Sequence, residues 1–243
     1  MKSRLKLCTF DVTNTLLKFR TSVGEQYAKV GRLYGIKREP DKITNAFMHY
    51  WKIMNSDHPN FGRNTGLTSH LWWKEMVRNS FSLGPDELKN GQLDAISDHL
   101  YDLYRSNICW KVTSGSEELL RRLKEKHIVL GVISNFDERL DSVLLANGLK
   151  SYFDFILASY IVKIAKPSRE IFNLALSHTS GITSAEALHI GDNIKLDYLA
   201  AKEAGWNALL LCSEILNEEN SKYVNPNEVV TDVQQIEQYI LSS

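Results

Sequence analysis

At 243 residues, with 43% hydrophobic and 24% charged residues, the chain has the composition of an ordinary globular protein and the length for a core with an accessory domain. Lys+Arg and Asp+Glu both total 29, so no global field draws it to nucleic acid or to an anionic membrane, and phosphate binding must come from a local site. No apolar run nears the roughly 18 residues that cross a bilayer, the start at 1–7 is too short for a secretory apolar region, and three scattered cysteines (Cys8, Cys109, Cys212) read as reduced thiols of a cytoplasmic protein.

In chain order, the first apolar run predicts a strand over 5–10. From about 17 to 108 no strand signal is present. Helical spacing there carries Phe47, Tyr50, Trp51, Trp72, Trp73, Phe81, Tyr101 and Tyr104, a stripe that reads as core before it reads as a stacking platform. Turn formers at 58–69 separate two aromatic helices, and His58, Arg63 and His70 read as solvated. The adjacent Trp72 and Trp73 point different ways, which suits one core residue beside one facing a cleft or a partner.

From Val112 the rhythm changes. Ser114 and Glu117 have the spacing of a capping box ahead of Leu119, Leu120 and Leu123. Strands are predicted over 128–133, 155–158, 187–190 and 208–211. A helix over 137–147 puts Leu140, Val143 and Leu144 on one face, with Gly148 as its stop. Another over 194–204 puts Leu196, Leu199 and Ala200 inward and ends at Gly205. Strands separated by such helices predict an α/β fold, a parallel sheet covered on both faces. The expected division is a core of 1–16 and 109–243 with an all-helical insertion at 17–108, placed over the sheet's C-terminal edge.

Four short segments carry chemistry. The first strand runs into Asp11, with hydroxyls at Thr13 and Thr15, the latter spaced to hydrogen-bond the carboxylate. A second strand runs into Ser134 and Asn135, Lys166 precedes Pro167 before a helix, and 191–197 (GDNIKLD) sets Asp192 and Asp197 around a turn. Each alone is turn chemistry or a solvated charge. Together, gathered at one edge of a parallel sheet, they are what phosphoryl transfer to a carboxylate requires. Asp11 would attack phosphorus, Mg²⁺ held by Asp11 and Asp192 would screen the repulsion between carboxylate and phosphate, and Ser134 and Lys166 would stabilise the phosphoryl oxygens. Asp197 would anchor Lys166 or a metal-bound water.

The segments DVTNT, SN, AKP and GDNIKLD resemble, in order, the four motifs of the haloacid dehalogenase superfamily, over nearly the whole chain. SNFDERL, TSHLWW and GDNIKLDY are similar to one subgroup within it. The resemblance implies a Rossmann-like core, a helical (C1-type) cap in place of the insertion, Mg²⁺ and usually phosphatase activity on a small phosphorylated molecule. It assigns Asp11 as nucleophile and metal ligand, Ser134 and Lys166 as catalytic, Asp192 as metal ligand and the Thr13 carbonyl as a further one. Thr15, Ser134, Asn135 and Lys166 would contact substrate, with Asn193 and Asp197 in support. A core and cap of this size suffice for a stable monomer.

One position departs from the pattern. Family phosphatases place a second Asp two residues after the nucleophile, where this chain has Thr13. That carboxyl protonates the leaving alkoxide and later activates water, and losing such a group typically costs ~10²–10⁴ in rate. Three readings follow: a slow phosphatase-type hydrolase favouring good leaving groups, an impaired relative that binds a phospho-ligand or a protein partner, or chemistry at another bond. For the last, GDNIKLD favours a metal site over a dehalogenase. A phosphonatase would need a Schiff-base lysine, and among Lys18, Lys29 and Lys52 the sequence selects none.

Overall fold

The structure is a computed structural model that describes residues 5–82, 91–213 and 216–241. The chain forms two compact units, one of 1–18, 112–135 and 148–243, the other of 19–111 and 136–147. Residues 136–147, expected in the core, belong instead to the helical unit. Strand β1 (Leu7–Phe10) leads to β2 (Leu17–Phe19), which pairs with β3 (Trp110–Val112) in a small two-stranded sheet. The expectation of no strand between 17 and 108 therefore fails at its first residues, because three residues are too few to show an alternation.

Strands β4 (Val129–Ser134), β5 (Phe155–Ala158), β6 (Ala187–Gly191), β7 (Asn207–Leu211) and β8 (Val229–Val230) join β1 in one sheet of order β5-β4-β1-β6-β7-β8. Every pairing in it is parallel. Such strands are covered on both faces and so read as unbroken apolar runs; β1 and β6 are buried at every position. Leu7, Ile133, Phe172, Ala187 and Leu210 belong to the core they build. Gly131 has no side chain for a steric reason: a Cβ there would lie 2.2 Å from the Phe155 ring.

Register decides where the site falls. Phe10 aligns with Val132 on one side and with Ile190 on the other. The residues that follow, Asp11, Ser134 and Asp192, therefore leave the sheet at the same edge. Strands β4 and β5 extend the sheet to one side of β1 before the chain returns to place β6 on the other. That reversal is the switch point where open α/β sheets leave a crevice.

Two local expectations are corrected in this unit. The helix Ser116–Glu125 is preceded by Gly115 at φ 84°, with no side-chain cap, so Ser114 and Glu117 form no capping box. Reciprocal boxes form instead at Ser22–Glu25 and Thr183–Glu186. Residues Ile194–Leu199 wind as a π-helix before the α-turn Ala200–Glu203. The wider turn shifts the phase, so Asp197 and Tyr198 are buried and Leu196 is only half-buried, while Ala200 is buried and the half-buried Leu199 packs on the core as expected. Gly148 and Gly205 end their helices at φ 74° and 81°, the left-handed conformation expected of a stop.

The helical unit holds helices Val23–Leu33, Pro40–Asp57, Ser69–Ser80, Gln92–Leu103 and Leu140–Ala146. Tyr27, Ile43, Val77, Phe81, Ile96 and Leu100 make its core. Trp72 is fully buried and donates its indole N–H to the His58 carbonyl at 3.0 Å, whereas Trp73 is half-buried. His58 bonds Thr65, His70 bonds Asp98, and Arg63 is exposed. Among the described residues no helix is long and apolar enough to cross a membrane. The three cysteines are free; burial pushes the Cys8 and Cys109 thiols up to about 12, which makes them poor nucleophiles.

Candidate active site

Asp11 stands one residue beyond β1, its amide still donating to the Ile190 carbonyl at 2.9 Å. The chain then turns tightly over Val12, whose carbonyl accepts from the amides of Thr15, Leu16 and Leu17. Asn14 takes φ 61° in this turn. Its side chain hydrogen-bonds Asp192, a contact that nothing in the sequence signalled. Ser134 closes β4, almost fully buried, and its side chain hydrogen-bonds Asp11.

Lys166 comes from the loop after β5, yet its ammonium reaches the centre. Nζ donates to Asp11 Oδ1 at 2.8 Å, to the Ile133 carbonyl at 2.8 Å and to Asp197 Oδ1 at 2.5 Å, which uses all three of its protons. The Lys166 backbone is clamped as well: Asn135 Nδ2 donates to its carbonyl at 2.9 Å and Asn135 Oδ1 accepts from its amide at 2.8 Å. Asn135 thus holds the lysine loop against the end of β4.

Asp197 sits in the π-turn, against Gly191. A Cβ at 191 would lie 2.2 Å from the Asp197 carboxyl carbon, so only glycine lets the carboxylate seat there. Asp197 Oδ2 accepts from the Asn193 amide at 2.9 Å, and the Asn193 side chain caps the turn through the amides of Lys195 and Leu196. Asp197 Oδ1 also lies 3.1 Å from His189 Nε2. Sequence reasoning passed over His189; its only signal was a titratable ring amid an otherwise apolar strand.

The electrostatics follow from burial and imbalance. Burial pushes the Asp11 carboxyl up, against the pull of Lys166. Burial alone would push Asp197 up too, but Lys166 and the His189 bond hold it well below the usual carboxylate range. Burial opposes the charge on Lys166, and the two carboxylates more than offset it. Asp192 is pushed up to about 6 by burial and by the charges of Asp11 and Asp197. Carboxylate oxygens of Asp11, Asp192 and Asp197 lie within 4.8 Å of one another, a set that suits a hard divalent cation. Asp197 already spends both oxygens on protein donors, so Asp11 and Asp192 are the freer ligands.

The structure brings Asp11, Ser134, Lys166, Asp192 and Asp197 together, with Asn135 and Asn193 as supports. Thr15 departs from expectation. Its hydroxyl is buried and has no hydrogen-bond partner among the described residues, so it does not bond the carboxylate as expected. Thr13 is half-buried and brings no acid to the site.

The fold and site define a parallel α/β protein with a buried aspartate–lysine centre at its switch point. The chain belongs to the haloacid dehalogenase-like hydrolases, whose family model matches residues 5–205. It is 42% identical over 217 residues to the rhythmically expressed gene 2 protein of Drosophila melanogaster, covering 86% of this chain and 84% of that one. It is 35% identical over 210 residues to the haloacid dehalogenase-like hydrolase domain-containing protein 3 of Mus musculus, covering 86% and 82%. A crystal structure of a dehalogenase superposes with a TM-score of 0.72 at 18% identity, covering 98% of each chain, a likeness of fold.

Proposed function

We propose that this chain is a slow, Mg²⁺-dependent phosphatase-type hydrolase that acts as a monomer on a small phosphorylated molecule, with no role for nucleic acid or membrane. The observation that carries the reading is Lys166, which ties Asp11 to Asp197 and leaves Asp11 Oδ2 as the oxygen it does not engage. That oxygen attacks phosphorus, the phosphorus–oxygen ester bond breaks, the leaving group departs with the electron pair as its anion and takes a proton from solvent, and an aspartyl-phosphate forms on Asp11. Water then attacks phosphorus, releases inorganic phosphate and restores the carboxylate. Ser134 donates to a phosphoryl oxygen, while Lys166, its three protons held by Asp11, Asp197 and the Ile133 carbonyl, offsets the phosphoryl charge through space and orients Asp11. Asp11 and Asp192, with the Thr13 carbonyl, would hold the Mg²⁺; bound there, it supplies charge screening and polarisation of a phosphoryl oxygen.

Thr13 limits the reaction. A threonine hydroxyl is far too weak an acid to protonate a leaving alkoxide at neutral pH, so aryl and acyl phosphates, which need least protonation, are the favoured substrates. The same residue favours a second reading, a site that binds a phospho-ligand or a protein partner without turnover.

A phosphate-ester panel with wild type, Thr13→Asp and Asp11→Asn tests both. Wild type should hydrolyse p-nitrophenyl phosphate with Mg²⁺, and Asp11→Asn should not. Thr13→Asp should raise turnover of alkyl phosphates by ~10²–10⁴ and of aryl phosphates far less. An equal rise on both would sink the account of the missing acid. Wild-type turnover no higher than that of Asp11→Asn would decide for the binding reading.

A further inference from the structure

His189 has no part in the reaction proposed above, yet it is a fully buried polar side chain in the middle of β6, with the Phe172 ring meeting it edge-on. Both of its ring nitrogens are engaged. Nδ1 lies 2.8 Å from the hydroxyl of Thr9, its register partner on β1, and Nε2 lies 3.1 Å from Asp197 Oδ1. The proton positions follow from these partners. Asp197 is held as an anion and can only accept, so Nε2 carries the hydrogen. A neutral ring then leaves Nδ1 as the acceptor. The Thr9 hydroxyl donates to it, since its alternative, the Leu188 carbonyl, is 3.5 Å away.

The outcome is a directed chain: Thr9 donates to His189, His189 donates to Asp197, and Lys166 donates to both Asp197 and Asp11. We infer that His189 is a positioning residue for the phosphoryl site, a neutral Nε2–H donor that fixes the Asp197 carboxylate so that Lys166 is aimed at Asp11. Asp197 Oδ1 accepts from two groups and only one of them is charged. A cation at 189 would compete with Lys166 for Asp197. An aliphatic side chain would leave Oδ1 to Lys166 alone, drawing Nζ toward Asp197 and away from Asp11. Burial and the nearby Lys166 push the His189 pKa down, in keeping with a neutral ring.

The kinetic arm of the test rests on the hydrolase reading; the other two arms do not. ¹⁵N NMR of histidine-labelled wild type should show His189 as the Nε2–H tautomer. On p-nitrophenyl phosphate, His189→Leu should lower kcat about tenfold, the low end of what outer-shell hydrogen-bond partners contribute, with KM changed less than about twofold. His189→Gln, whose amide N–H can replace Nε2–H, should recover most of kcat. Should His189→Leu fail to fold, Thr9→Val removes the donor to Nδ1 that helps hold the ring in place and should lower kcat in the same direction. Beryllofluoride with Mg²⁺, a mimic of the aspartyl-phosphate, should raise the Tm of wild type and His189→Gln more than that of His189→Leu. An Nδ1–H tautomer, or a His189→Leu protein with wild-type kcat and a wild-type beryllofluoride shift, would overturn the inference. If wild type turns over no faster than Asp11→Asn, the hydrolase reading fails, and the tautomer and beryllofluoride arms still decide the role of His189.

Discussion

Each unit of this molecule buries a cation among carboxylates, and the two clusters are built on different ratios. In the helical unit Arg139 faces one acid, Asp137, and both are almost wholly buried. Nε donates to Asp137 Oδ1 at 2.9 Å and Nη2 to Oδ2 at 2.5 Å, while Nη1 reaches the Tyr101 carbonyl at 3.2 Å. The guanidinium carbon lies 4.0 Å from the Tyr101 ring centre and 5.0 Å from that of Trp73, whose indole N–H donates to Asp137 at 2.7 Å. One positive charge meets one negative charge, and the fork geometry matches the carboxylate.

In the α/β unit Lys166 faces Asp11 and Asp197, with Asp192 close by. One cation cannot neutralise three carboxylates: burial raises Asp11 and Asp192 first, and the surplus negative charge of their neighbours adds to it. The balanced cluster is closed to further ligands and serves structure. The unbalanced one keeps an excess of negative charge that a divalent cation can offset, which is how sites of chemistry differ from structural ion pairs.

The comparison can be broken in three ways. The largest effect is expected from Arg139→Leu, which strands Asp137 as an unpaired buried charge and should cost about 3–5 kcal/mol in urea unfolding. Changing Asp137→Leu alongside it should recover much of that loss. An Arg139→Leu cost no greater than that of a surface substitution would end the view of this pair as structural.

A smaller effect of opposite sign is expected from Asp192→Asn. Asp192 titrates near about 6 in the folded protein, against about 3.9 for an unfolded aspartate. Between these values the folded state binds more protons than the unfolded one, so metal-free stability falls as pH rises through the window. Asp192→Asn removes this slope. It should raise the metal-free Tm at neutral pH, and the difference between variant and wild type should shrink on acidification from about pH 6 to about pH 4. The variant should also lose the Mg²⁺-induced rise in Tm. The smallest effect is expected from Trp73→Phe, which keeps the ring over Arg139 but removes one donor to a charged carboxylate. Urea unfolding should show a loss of about 1–2 kcal/mol.

Much of this architecture is legible in local pattern. The apolar runs of β1, β4, β5, β6 and β7 are visible because a parallel strand buried on both faces needs consecutive apolar residues. Asp11, Ser134 and Asp192 are visible because each follows such a run. Gly148 and Gly205 mark helix ends because the left-handed conformation there favours glycine.

Tertiary structure alone decided the rest. Residues 136–147 follow Ser134 and Asn135 directly, yet their unit is set by Asp137 and Arg139 packing against Trp73 and Tyr101, partners distant in sequence. The π-turn at 194–199 brought Asp197 and Tyr198 inward beside the expected Ala200, since a single wider turn shifts the phase that helical spacing assumes. Asp11 and Lys166 are 155 positions apart, and His189 acquires its role only from Thr9 across the sheet and Asp197 around the turn. Sequence pattern records what a residue does to its near neighbours, through periodicity and turn chemistry. The Asp197 anchor of Lys166 was expected from the GDNIKLD segment, but hydrogen bonds between side chains brought together by strand register leave no such trace, so the Thr9–His189–Asp197 chain became visible only when the sheet closed around it.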